Sequence, residues 1–142
     1  MRFVTKHLVV LNRFEEDILT KCRFRTFKVL NKEGQVKAKI VAASVLVGES
    51  EADRTFKVNF VFCSPKDMDE FNIEYGRMEA LRRVSTRKLS SPSITIRRGE
   101  KVMPMVKTLM LDWIKTPEAG FKQEGDKWGI TWLKKVTPEM IV

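Results

Sequence analysis

Apolar and polar positions alternate with period two through much of the first half of the chain, the spacing of strands with one buried face. Cys22 to Leu30 (Cys-Arg-Phe-Arg-Thr-Phe-Lys-Val-Leu) mixes aromatic, β-branched and basic residues in this manner. Asn31-Lys32-Glu33-Gly34 then supplies a turn in which Gly34 is free to take positive φ. Val36 to Val47 predicts a second strand, Glu49 to Asp53 an acidic turn, and Arg54 to Cys63 a third strand. In the third, Phe56, Val58, Phe60 and Phe62 share one face while Thr55, Lys57 and Asn59 share the other. So regular an apolar face requires a cover.

Beyond Cys63 the period changes. Ser64-Pro65-Lys66-Asp67 reads as a helix start, with Ser64 as cap, Pro65 at the first helical position and Asp67 placed to bond back. Met68, Phe71, Tyr75 and Met78 follow at three- and four-residue spacing, which puts them on one helical face. This helix is the expected cover for the phenylalanine face. Ser90-Ser91-Pro92-Ser93 breaks the pattern, and Ile94-Thr95-Ile96 predicts a short strand. A second helix is expected from near Pro104 to before Thr116-Pro117, burying Val106, Leu109, Met110, Trp113 and Ile114. Glu124-Gly125-Asp126 turns the chain into a predicted last strand, Lys127 to Val136. At the N-terminus Phe3 to Leu11 reads as an edge strand and Glu15 to Thr20 as a helical turn. The sum is an α+β fold, an antiparallel sheet of four to five strands packed by two helices, with Phe56, Phe60, Phe71, Leu109 and Trp113 in its core. Without an internal repeat, low-complexity tract or long linker, residues 1–142 read as a single domain.

Composition adds the first hint of function. A chain of 142 residues, 43% hydrophobic and 32% charged, is long enough to bury a core without disulfide staples. Its formal charge of +9 draws phosphate-rich polymers and, more weakly, anionic membranes. Cys22 and Cys63 are expected as reduced, buried thiols, a bridge between adjacent strands being the alternative. No apolar run suits a signal peptide, and Ile40 to Val47 is too short to span a bilayer, so a cytoplasmic location is expected.

The charge is concentrated. From Arg82 to Lys101 the basic residues Arg82, Arg83, Arg87, Lys88, Arg97, Arg98 and Lys101 outnumber a lone acid, Glu100. Complementing the dipole of the first helix explains why Arg82, Arg83, Arg87 and Lys88 follow its acidic opening, but not their density. The predominance of arginine favours bidentate phosphate contact, and Ser85, Thr86, Ser90, Ser91 and Ser93 add hydroxyl donors. A solvated surface and an acidic protein partner are the alternatives. Arg23 and Arg25 on one strand and Lys37 and Lys39 on the next form a secondary patch if the hairpin register brings them to one face. Trp128, Ile130 and Trp132 share a face of the expected last strand; exposed they would stack on bases, although burial is the usual fate of such a pair.

Candidate chemistry is sparse. His7 is the only histidine and has no partner at metal spacing, which excludes the usual zinc sites. Asp67, Asp69 and Glu70 point in different directions on a helix and do not converge on a cation by themselves. Gly99-Glu100-Lys101 and Gly125-Asp126-Lys127 lack the spacing of a phosphate loop. No cofactor is expected.

The stretch from Val61 to Arg83 is a strand ending in Cys63-Ser64-Pro65-Lys66-Asp67, then Phe71, Gly76-Arg77, Ala80 and Arg82-Arg83. It resembles a pattern found in small accessory proteins of bacteriophages and mobile elements. That resemblance implies a non-catalytic role, such as an inhibitor of a host nuclease or defence complex in the manner of anti-CRISPR proteins, acting in the host cytoplasm. It assigns no functional residue. The residues themselves point to a basic binding protein that contacts nucleic acid or a nucleoprotein mainly through phosphates. A host-protein inhibitor is the first alternative, and a small enzyme built from arginine, lysine and carboxylates the second.

Overall fold

In the computed structural model, which describes residues 13–85, 91–115 and 127–142, the chain is an α+β fold. Its elements are α1 (Arg13–Leu19), β1 (Cys22–Leu30), β2 (Val36–Glu49), β3 (Asp53–Cys63), a 3-10 turn (Pro65–Glu70), α2 (Ile73–Ser85), β4 (Ser93–Arg97), α3 (Val102–Trp113), α4 (Lys127–Lys134) and a closing 3-10 turn (Pro138–Met140). The four strands form one antiparallel sheet in the order β1-β2-β3-β4. The first hairpin turns as the sequence requires: Asn31 Oδ1 accepts from the Glu33 and Gln35 amides at 3.0 and 2.9 Å, and Gly34 takes φ of 80°.

Both faces of the sheet are covered. On the front, Phe27, Ile40, Ala42, Phe56, Val58, Phe60 and Phe62 are buried under Val102, Val106, Met110 and Ile114 of the α3 segment and Leu133 of α4. Those α3 positions recur every fourth residue, so a single helical face supplies the cover. Trp113 meets the Phe60 ring at 5.1 Å and Trp132 stacks on Phe62 at 6.3 Å. On the back, Val41, Ala43, Val45, Val61 and Cys63 lie under Ala80, Leu81 and Val84 of α2, with Ile18, Leu19, Met68 and Phe71 packed alongside. Phe56 and Phe60 are fully buried, whereas Phe71, Leu109 and Trp113 are half-buried at the margins of these clusters.

Three expectations are corrected. The phenylalanine face is covered by α3 and α4, not by the helix that follows β3. Val58 to Cys63 is buried at every position, so both faces demand a cover, and α2 packs on the back. The first predicted helix is two pieces. The 3-10 turn ends at Phe71, which is extended (φ −63°, ψ 126°), and Asn72 restarts the helix by accepting the Tyr75 amide on Oδ1 at 3.1 Å. Ser64 makes no side-chain cap bond, and the Asp67 side chain lies outside the described residues. Finally, Lys127 to Lys134 is helix and not strand. A short apolar run fits either period, and Trp132, Leu133 and Val136 pack on the front cluster at helical spacing. The side chains of Trp128 and Ile130, and the strand expected over Phe3 to Leu11, lie outside the described residues.

Candidate nucleic-acid interface

The arginine-rich stretch begins where β4 stops pairing with β3. The ladder ends at Lys57↔Ser93, with one further bond from the Val58 amide to the Pro92 carbonyl. The next outward-facing peptide groups, those of Phe60, would be left without strand partners, and side chains take them up. Asn59 Oδ1 accepts the Phe60 amide at 2.8 Å, and Arg83 Nη1 donates to the Phe60 carbonyl at 3.1 Å. Asn59 Nδ2 donates to Ser91 Oγ at 3.1 Å, which in turn donates to the Arg83 carbonyl at 3.2 Å, closing a ring of polar contacts. Arg83 is therefore buried, only 6% exposed, with its guanidinium turned into the protein. Arg82, next to it, is half-exposed and pairs with Glu79 at 3.6 Å.

Past this ring the back of the sheet emerges from beneath α2. β4 alternates exposed and buried residues, with Ser93, Thr95 and Arg97 on the exposed side. Their cross-strand partners on β3 are Lys57, Thr55 and Asp53. Thr55 and Thr95 share a hydroxyl hydrogen bond at 3.1 Å, and Lys57 is exposed opposite the small Ser93. From Asn59 to Asp53 this strip of hydroxyls and cations runs about 20 Å at the usual strand rise. Arg97 stands at the end of the strip away from Asn59, with Lys57 between them. The sequence reading missed Lys57. It sits on the polar face of the third strand, and only the pairing with β4 shows that it joins this stretch.

Arg98 and Lys101 leave the strip. Arg98 lies in the turn that follows β4, where it pairs with Glu49 at 2.9 Å while its Nε donates to the Ser50 carbonyl at 2.7 Å. Arg54 Nη2 donates to the Glu100 carbonyl at 3.0 Å in the same corner, and Lys101 is exposed. Arg87 and Lys88 lie outside the described residues.

The secondary patch is divided by register. Arg23 and Arg25 stand opposite Ser44 and Ala42 and therefore on the front face. Lys39 stands opposite Lys28 and Cys63 on the back, while Lys37 falls at a bulge without a cross-strand partner. Two rings on the back face hold cations: Lys39 Nζ is 4.6 Å from the centre of Phe71, and Arg77 Cζ is 5.9 Å from that of Phe24.

Cys22 and Cys63 sit on strands separated by β2, and both are free thiols. Burial lifts the Cys22 thiol to about 12, against a small opposing effect of the Ser44 backbone, so it is no nucleophile near neutral pH. A cleft of about 250 Å³ between α3 and the α4 end of the chain is lined by Leu111, Ile114, Val136 and Pro138, with Lys115 paired to Asp112 at 3.8 Å. Among the described residues no group of three or more His, Cys, Asp or Glu side chains converges on a metal position, and no helix is long and apolar enough to cross a membrane. Compared with known proteins, the chain matches no family model, no curated protein and no solved structure.

Proposed function

We propose that this chain is a non-catalytic binding protein that contacts nucleic acid, or a nucleoprotein, mainly through phosphates. The observation that carries this reading is the bare polar strip beyond the end of α2, where Lys57 and Arg97 are exposed beside the hydroxyls of Ser93, Thr55 and Thr95. Lysine, arginine and hydroxyl donors are the groups that hold phosphate oxygens. Among the described residues the strip carries no aromatic side chain on which a base would stack, so little base readout is expected. The chain's +9 charge adds long-range attraction to the same class of partner.

Fluorescence anisotropy with labelled single- and double-stranded DNA and RNA across a salt series tests it. Affinity should fall steeply with salt. The Lys57→Gln/Arg97→Gln variant should lose roughly 1.4–1.8 from the log–log salt slope, the value for two phosphate contacts. Arg23→Gln/Arg25→Gln, on the front face, is the control with the same change in net charge. Equal slopes in both variants would sink the assignment to the strip, and salt-independent binding would sink the phosphate reading altogether.

A further inference from the structure

The sheet treats its two edges differently. On β1 the end of the chain closes part of the edge: Lys28 exchanges both backbone bonds with Val142 at 2.9 Å each, and Val29 bridges to Ile141. β4 has no such cover among the described residues. The direction of its peptide groups follows from its flanks. The Pro92 carbonyl accepts from Val58 and the Arg98 amide donates to Ala52 at 2.9 Å, both toward β3. Bonding direction alternates residue by residue in an antiparallel ladder, so Ile94 and Ile96 bond to β3 while Ser93, Thr95 and Arg97 face outward. Of these outward groups only the Arg97 carbonyl has a partner among the described residues, the Glu100 amide at 3.1 Å. The amides of Ser93, Thr95 and Arg97 and the carbonyls of Ser93 and Thr95 form an open template repeating at roughly 7 Å.

Proteins usually blunt such an edge with a proline, a bulge or an inward charge. β4 has none of these: its register runs unbroken from Lys57↔Ser93 to Asp53↔Arg97, and its inward side chains are Ile94 and Ile96. We propose that the β4 edge receives an extended acidic segment of a partner protein as a fifth strand. Main-chain bonds would hold it, and side chains would select it. On the back face an added residue beside Ser93 lies within reach of Lys57, because the serine between them is small. One beside Arg97 meets a guanidinium whose other neighbour is Asp53. On the front face the added residues lie beside Ile94 and Ile96. The fitting segment therefore alternates acidic and apolar positions. A second copy of the chain suits the edge poorly: antiparallel pairing of two β4 strands would gather Lys57 and Arg97 of both copies on one face. The inference does not depend on the phosphate reading, because its bonds come from the backbone.

The probe is the peptide acetyl-Glu-Val-Glu-Val-Glu-Val-amide, with acetyl-Lys-Val-Lys-Val-Lys-Val-amide as its charge-reversed control. Backbone amide exchange followed by NMR should show Ser93, Thr95 and Arg97 exchanging freely in the protein alone and slowed at least about tenfold by saturating acidic peptide, with Ile94 and Ile96 little changed. Thr95→Pro removes an outward donor without altering any charge. It should weaken the acidic peptide about tenfold. If the peptide binds but gives no protection at these amides, or binds Thr95→Pro equally well, it is held merely as a polyanion and the proposal is wrong. Should Thr95→Pro fail to fold, the exchange measurement on the unaltered protein decides alone.

Discussion

Replacing Arg83 with methionine separates a structural arginine from a ligand-binding one. The side chain is 6% exposed, and its Nη1 donates to a Phe60 carbonyl that has no strand partner because β4 ends short of it. Methionine keeps most of the aliphatic stem but supplies no donor, so the carbonyl is left buried and unsatisfied. A hydrogen bond from a charged donor contributes roughly 1.5–3 kcal/mol, and relief of the buried charge offsets some of its loss, giving a net destabilisation of about 2 kcal/mol. For a domain of this size that is a fall in Tm of roughly 4–8 °C. Thermal and urea unfolding followed by circular dichroism measure it, and an unchanged m-value would confirm that the same cooperative unit is being reported. Arg82→Met, which removes a half-exposed ion pair, should change stability by no more than about 0.5 kcal/mol. If Arg83→Met melts with the wild type while nucleic-acid affinity drops, Arg83 is a surface contact and the polar ring around Phe60 is not what holds this edge. Comparable losses in the two variants would equally refute the distinction drawn between them.

Other outcomes follow from the same geometry. Asn72→Ala should cost about 1 kcal/mol by removing the acceptor for the Tyr75 amide, with Asn72→Asp retaining most of the stability in the same melts. Burial lifts the Cys22 thiol from 9.0 to about 12, so it is protonated in both folded and unfolded chains below pH 9 and its contribution there is whole. Above pH 9 the unfolded chain releases the proton first, so stability should decline toward pH 12. Cys22→Ala should lessen that decline, and a variant that loses stability just as steeply would remove the premise. Both thiols should also resist alkylation at pH 8 until denaturant is added, Cys63 because it is fully buried.

Much of the fold was legible because its signals are local. The turn at Asn31 to Gly34, the bounds of the first three strands, the short strand around Thr95 and the fourfold spacing along α3 each depend on residues close together in the chain. Where two periods or two faces competed, local pattern was insufficient. Trp128, Ile130 and Trp132 satisfy strand alternation, yet the backbone there is helical, with Trp132 and Leu133 facing Phe62 and its neighbours. The Met68 to Met78 spacing announced a helix without saying that Asn72 would break and restart it, or which side of the sheet it would cover.

The sequence by itself determined the excess of positive charge, the antiparallel sheet and the presence of helices to cover it, since composition and periodicity are properties of the chain before it folds. Only the tertiary structure decided where the charge goes. Arg82 to Lys101 is continuous in sequence, but Arg97 closes β4 on its exposed side, Arg98 in the turn beyond pairs with Glu49 at the end of β2, and the end of β4 draws Arg83 inward. The β1–β2 register likewise separates Arg23 and Arg25 from Lys39. Lys57, distant in sequence, becomes the neighbour of Ser93. A strand advances about 3.3 Å per residue and reverses its face at every step. Charges adjacent in the chain are thereby dispersed, and pairing between strands alone chooses which of them meet.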